Sequence, residues 1–386
     1  MSGAFSSVVR EREDIRVNAS ARYFTLFRHI DFTLLFLVIT LTLAGIATLK
    51  GAVLGIAALE PVVTKQIAFF WIALAVLAFT FLLDYRWLNR TAILVYTLNI
   101  GALIFVIVKG SSVNGARSWI DFGPVNWQPS ETMKIATALV GAQWMALHPE
   151  GARDWRGIII PGIICGVPAL LVLMQPDLGT ASLFFVLCLA MMLIGGVPRR
   201  RIAIIVLAAI MGLASAYPFL KPYQKNRLIV FVNPEADPAG AGYNVIQSKI
   251  AVGSGGLFGQ GWGGGTQSTH RFLPEHHTDF IFASFIEQFG FVGGVAILAA
   301  YLLLVWRMMR AIETARDRFG AIVVAGLAAV FVGHVVENVG MTMGVFPVTG
   351  IPLPFLSYGG SFLITTFVLF GIVMNVASRR YTLAGP

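Results

Sequence analysis

The sequence runs to 386 residues, of which 57% are hydrophobic and only 12% charged, with a formal net charge of +9 and a mean hydropathy of +0.78. Soluble domains are about half apolar and about a quarter charged, so this composition excludes one and puts the chain in a bilayer. The positive charge falls on arginines between apolar runs rather than on a basic soluble face, which excludes nucleic-acid binding as its purpose and makes it a topology signal.

The segment before residue 31 carries Arg10, Arg12, Arg16, Arg22 and Arg28 among acids and polar residues. It lacks the short apolar core and small-residue cleavage site of a secretory signal. Residues 1 to 30 are therefore expected to be a cytoplasmic or interfacial lead-in, with 20 to 30 (SARYFTLFRHI) either an amphipathic surface helix or unstructured. Apolar runs long enough to cross about 30 Å of hydrocarbon follow at 31 to 50, 66 to 84, 91 to 109, 129 to 147, 157 to 174, 181 to 197, 202 to 219, 280 to 306, 319 to 344 and 359 to 378. The fold expected is an all-α polytopic membrane protein of about ten transmembrane helices in one domain over 31 to 378. A large extracytoplasmic loop, 219 to 280, separates spans seven and eight, and 379 to 386 form a cytoplasmic tail.

Short loops rich in Lys and Arg stay in the cytoplasm. Counted from an inside amino terminus, the inner loops hold Arg86 and Arg90, Arg153 and Arg156, Arg199 to Arg201, Arg307, Arg310, Arg316 and Arg318, and finally Arg379 and Arg380. Both termini are thus expected inside. The two cysteines, Cys165 and Cys188, fall within separate apolar spans as small packing residues. His276 and His277 are adjacent and have no HExxH-type spacing, so a metal site is not expected. No P-loop occurs, and any reaction on the outer face must use an already activated substrate.

Four polar segments face outward. GARSWIDFGPVNWQPSETMK (115 to 134) sets Arg117 and Trp119 before a turn at Gly123 and Pro124, then opens a helix at Pro129. Glu131 and Lys134, one turn apart in that helix, either neutralise each other or bind a ligand. QPDLGTA (175 to 181) suits a tight turn or a helix cap by Asp177. The excursion 219 to 280 holds a short helix near 243 to 252, then a glycine-rich run with Trp262, and ends in RFLPEHHTDF. Its glycines permit close backbone approach, to a ligand or to nothing if the loop is only a surface loop. GVFPVTGIPLPFLSYGGS (344 to 361) has three prolines among apolar residues. Such backbone is tolerated at a membrane only where protein or a watery cavity surrounds it. Just before it, His334 and Glu337 lie one turn apart in the ninth span, as functional groups or as a mutual pair.

Asp279 ends the excursion at the brink of the eighth span. A carboxylate there is either a tuned general base or the cap of the following helix. Arg117, Lys134, Arg227 and Lys249 are suited to holding an anionic leaving group such as pyrophosphate, with surface solvation as the alternative for each.

The strings GARSWIDFGPVNWQPSETMKIA, QPDLGTA, QSKIAVGSGGLFGQGWGGGTQS, FLPEHHTDFIFA and PVTGIPLPFLSYGGS, in this order and on this topology, resemble the SEDS family of shape, elongation, division and sporulation proteins. The likeness covers nearly the whole chain, and PVTGIPLPF is most similar to the rod-shape elongation members. It implies a peptidoglycan glycosyltransferase that polymerises lipid II into β-1,4 glycan on the outer face of the bacterial inner membrane, by inverting transfer with undecaprenyl pyrophosphate leaving. The family's loop aspartate corresponds to Asp279. Trp119, Gln128, Glu131 and Lys134 match its tryptophan and QPSE motif, implying substrate binding or helix positioning. The basic residue that members often carry directly before the tryptophan is Ser118 here, with Arg117 one place earlier, and SYGGSF replaces the commoner SYGGSS at Phe362. The resemblance also implies a class B penicillin-binding protein and elongation scaffold proteins as partners. No cofactor is firmly implied, although the pyrophosphate would accept a divalent Mg or Mn ion. A lipid II flippase and a non-catalytic scaffold for a transpeptidase are the alternatives.

Overall fold

A computed structural model describes residues 28–379 apart from 55–58, 114–115, 124–125, 217, 219–221, 239, 266, 268–274 and 276. Residues 20 to 27 of the expected interfacial helix, Pro124, Lys221, Arg271, His276 and the tail from 380 lie outside the described residues.

Each of the ten apolar runs is helical, with ends displaced by a turn or two. They are α1 (Phe32–Ala52), α2 (Glu60–Leu82), α3 (Tyr85–Lys109), α4 (Pro129–Leu147), α5 (Arg156–Met174), α6 (Leu178–Ile194), α7 (Arg199–Ala216), then α10 (Ile281–Glu313), α11 (Arg318–Thr342) and α12 (Gly360–Arg379). The short α8 (Pro222–Val232) and α9 (Ala241–Ser254) belong to the long excursion, and α9 covers the helix expected near 243 to 252. Displaced ends follow from capping. Asp84 accepts from Arg86 N, so α3 starts in the polar YRWLNR stretch, ahead of its first apolar run. Asp31, Asp177 and Asp317 cap α1, α6 and α11 in the same way. Among the described residues, seven helices (α1, α2, α3, α5, α10, α11, α12) are long and apolar enough to cross a membrane, and α6 is a shorter apolar helix.

The centre of the bundle is α11 and α12, whose most apolar stretches are 72% and 78% buried against 22% to 44% for the other five. α11 packs on α4, α6 and α10, and α12 on α2. Their shared core includes Phe331, Phe355, Phe367 and Phe370.

The two ends of the bundle differ chemically. At the arginine-rich end, Arg307 Nε donates to Asp31 at 2.8 Å, Arg379 donates to Asp84 at 3.1 Å, Arg318 donates to the Gly195 carbonyl, and the Tyr85 hydroxyl donates to Asp317. These bonds tie together the ends of six helices, so the cationic loops share one face of the molecule. The polar segments gather at the other end. There, three short strands, β1 (Ser111–Val113), β2 (Ala116–Asp121) and β3 (Asn126–Trp127), form an antiparallel sheet in the order β1-β2-β3 between α3 and α4. The turn at Gly123 (φ 84°) is closed by Asp121, which accepts from Gly123 N at 2.7 Å.

The glycine-rich run packs against a helix. Gly290 (φ 72°) breaks α10, and the backbone of 256–261 lies in the break. Gln260 N and Gly261 N donate to the carbonyls of Glu287 and Gln288 at 2.9 and 3.2 Å. In return, Phe291 N and Val292 N donate to Gly256 O and Leu257 O at 2.9 and 3.1 Å. The loop thus satisfies backbone groups that the kink leaves without intrahelical partners. A Cβ on Gly259 (φ 82°) would overlap the Gln288 carbonyl. Gly259→Ala is therefore expected to cost about 1–3 kcal/mol through left-handed strain and overlap, seen as a lower thermal midpoint in detergent. Gly253→Ala, in open space on α9, should be neutral or slightly stabilising. Trp262 anchors the same loop by donating to the Ala47 carbonyl of α1 at 2.8 Å.

Candidate active site

The proline-rich segment 344–359 is the floor of the site. With three prolines it cannot form a helix, and its backbone groups are satisfied by side chains and by the turn at 275–280. Tyr358 N donates to the His277 carbonyl at 2.9 Å. Ser357 Oγ donates to the Thr278 carbonyl at 2.6 Å and accepts from Leu353 N at 2.7 Å. Phe355, with φ 69°, is held in this unfavourable conformation by the rings of Phe331, Phe367 and Phe370.

Asp279 lies in the last turn before α10, half-buried. The N-cap of that helix is the next residue, Phe280, which makes no side-chain cap bond. The Asp279 backbone N donates to the Glu275 carbonyl at 3.1 Å, and its carboxylate lies over Gly350, where an added Cβ would stand 3.3 Å from Oδ2. Gly350 has φ 76°, so two independent constraints favour glycine there. Burial holds the neighbouring His277 imidazole below the ordinary histidine range, against the opposite pull of Glu275. The carboxylate of Asp279 thus has a neutral imidazole two residues away at pH 7.

Behind the same segment, Lys134 Nζ donates to Glu131 Oε1 at 2.8 Å and stands 2.7 Å from His334 Nε2. All three residues are buried, at 2–3% exposure. His334 Nδ1 faces the Pro352 carbonyl at 3.1 Å. A carbonyl only accepts, so the proton is on Nδ1 and Nε2 accepts from the ammonium. Phe362 covers this group, its ring centre 4.9 Å from that of His334 and 6.0 Å from Lys134 Nζ, a cation–π distance. The adjoining cavity offers about 20 Å³ to water centres, room for a single water. Asp279 and the lysine cluster therefore border the same few residues of backbone, Gly350 to Pro352, from two sides.

The pairing of Glu131 with Lys134 follows their spacing. Of the two readings of His334 and Glu337, functional groups or a mutual pair, the pair does not form: His334 binds Lys134 of α4, and Glu337 accepts from Ser182 Oγ of α6 at 2.6 Å. Asp177 is the cap of α6, accepting from Thr180 N at 2.9 Å. Gln128 precedes α4, and its backbone N donates to Ser361 Oγ of α12 at 3.2 Å. Half-buried Trp119 is paired with Ser111 across the sheet. Lys249 is exposed on α9, with its chain end against Gly344 at the near end of the proline-rich segment. Arg117 lies in β2 opposite Ser112 and Arg227 lies in α8; both side chains are outside the described set. Sequence reasoning noted Phe362 only as a departure from the commoner SYGGSS, and it missed Ser357 and Asn338. For Asn338 a signal existed: it is four residues after His334, on the same helical face.

A family model described as "Cell cycle protein", FtsW/RodA/SpoVE, matches residues 25–382. The chain belongs to this family. Among its relatives is the peptidoglycan glycosyltransferase MrdB of Escherichia coli (strain K12), 41% identical over 292 residues, covering 75% of this chain and 78% of that one. The peptidoglycan glycosyltransferase RodA of Treponema pallidum (strain Nichols) is 33% identical and covers 91% and 98%. A chain from a solved peptidoglycan synthase complex, described as coordinating polymerization and crosslinking, superposes with a TM-score of 0.79 at 32% identity. That match covers 92% of this chain and 99% of that chain. The family match thus rests on the whole bundle, including the floor built by 344–359.

Proposed function

We propose that this FtsW/RodA/SpoVE family member is a peptidoglycan glycosyltransferase that polymerises lipid II into β-1,4 glycan strands during cell elongation. The observation that carries the reading is the half-buried Asp279 carboxylate set over the Gly350 backbone, in a chain whose relatives bear that activity in their names. The acceptor sugar's 4-hydroxyl attacks the anomeric carbon of the donor as its proton passes to Asp279. The bond to pyrophosphate breaks, the α-linkage becomes β, and undecaprenyl pyrophosphate departs. A base fixed within hydrogen-bond reach contributes about 10²–10⁴ in rate. Arg117, Arg227 and Lys249 supply positive charge for the leaving group. Trp119, in β2, and Gln128, at the head of α4, are assigned to substrate binding. Glu131 and Lys134 act from behind the backbone, since both are buried and engaged with each other. Among the described residues, no three His, Cys, Asp or Glu side chains gather as a metal site; a Mg or Mn ion would be carried on the pyrophosphate.

A second reading, a lipid II flippase, draws on the buried Glu131, Lys134 and His334. Against it, the cavity beside them has room for about 20 Å³ of water centres and is lined by the apolar Leu327, Val330, Phe331 and Leu369, which give no polar track for a headgroup. The third, a scaffold for a transpeptidase, requires no chemistry at Asp279. The test is polymerisation of labelled lipid II by the purified chain with a class B penicillin-binding protein, the partner we assign to the outer excursion and to α10 and α11; elongation scaffold proteins complete the assembly. A glycan ladder supports the enzyme, and its absence from an intact complex favours the other two.

We place the chain in the bacterial inner membrane with both termini cytoplasmic and the proline-rich floor facing the periplasm. The exposed Phe122 and Trp155 lie at opposite ends of the bundle, and Cys165 and Cys188 are buried. In intact spheroplasts, Phe122→Cys is expected to react with an impermeant maleimide and Trp155→Cys only after lysis. The reverse pattern would invert the topology.

A further inference from the structure

We infer that Asn338 is the positioning residue that fixes Asp279 for the reaction. The inference rests on the glycosyltransferase reading and extends it to a residue that does not touch substrate. Asn338 is on α11 and fully buried. Its Nδ2 donates twice, to the Asp279 carbonyl at 2.8 Å and to the Ile351 carbonyl at 2.7 Å. These two acceptors belong to the two pieces of backbone that define the site: the turn carrying the carboxylate and the floor beneath it. The orientation of the amide is forced, because a flip would aim its oxygen at two carbonyl oxygens. Its own Oδ1 is buried with no hydrogen-bond partner among the described residues. A buried polar side chain that leaves one end unpaired is poorly explained by stability alone. Both donors of one NH₂ group, however, are needed to clamp two carbonyls at this spacing. No other side chain of this volume has them: aspartate has the shape without the donors, leucine the volume without polarity, and glutamine an extra methylene.

The clamp is specific to the chemistry because of where it acts. It holds the backbone of the residue whose carboxylate lies over Gly350, one residue from the Ile351 carbonyl that the same amide binds. The carboxylate and its floor therefore move as one body. Displacement of a catalytic group by about 1 Å costs about 10²-fold in rate without altering the binding of remote parts of the substrate.

The test uses the full chain in complex with its class B partner and labelled lipid II, comparing wild type, Asn338→Asp, Asn338→Ser and Asp279→Ala. Rates are normalised to folded complex recovered by size-exclusion chromatography. The expected result for both Asn338 variants is a fall in kcat of tenfold or more with KM for lipid II within twofold of wild type. A wild-type kcat in either recovered variant, or a loss confined to KM, overturns the inference while leaving the enzyme reading intact. Two substitutions of different shape guard against one failing to fold. A wild-type complex that makes no polymer, by contrast, overturns the enzyme reading and this inference with it.

Discussion

Asp279→Ala is expected to abolish the glycan ladder made from lipid II, with a rate loss of at least about 100-fold and no loss of the partner complex. The carboxylate at the floor of the site is half-buried and laid over glycine backbone. Asp279→Asn separates the roles. The amide keeps the size and one acceptor oxygen of the side chain but cannot take a proton, so it should fall as far as alanine in polymerisation and remain close to wild type in thermal midpoint. An Asn variant that polymerises normally would remove the base assignment and support the scaffold reading.

The second large effect concerns stability. Lys134→Met leaves the Glu131 carboxylate buried without its ammonium and His334 Nε2 without its donor. Removing one member of a buried ion pair costs about 3–5 kcal/mol, because the remaining charge stays desolvated. The expected reading is a sharp drop in thermal midpoint and in detergent-stable yield. Lys134→Met combined with Glu131→Gln should recover most of the loss, since paired removal of buried charges is close to neutral. A single variant as stable as wild type would show that the cluster is hydrated in the membrane and that its cavity takes in more than one water. Phe362→Ser, which opens the cover over the cluster, is expected to fall between these two.

What the amino-acid sequence disclosed divides along physical lines. Hydropathy is local, so all ten helices were readable from it, and so was Asp177 as a cap, because a side chain and an N–H three residues on are close in any helix. The Glu131–Lys134 pair was readable for the same reason. Its third member was not: His334 is 200 residues away, and the pairing written into its own helix, with Glu337, lost to partners on α4 and α6. The strands β1 to β3 are two to six residues long, too short for an alternating pattern to stand out. The glycines of 253–265 did signal a close backbone approach, but only the fold discloses that the surface approached is α10. The proline-rich segment was legible as broken backbone in need of protection; which side chains protect it, Ser357 and Asn338 among them, depends on elements far apart in the chain.

The break at Gly290 makes the start of α10 a lever. No continuous helical ladder crosses that point, so the nine residues Ile281–Phe289, with Asp279 at their tip, are joined to the rest of the helix through the loop wedged beside them. Any load on the excursion 219 to 280, by a bound protein or a growing polymer, is therefore delivered through two backbone hydrogen bonds, from Gln260 and Gly261 to Glu287 and Gln288, to the segment that carries the carboxylate. In mechanical terms the molecule has its throttle on that excursion.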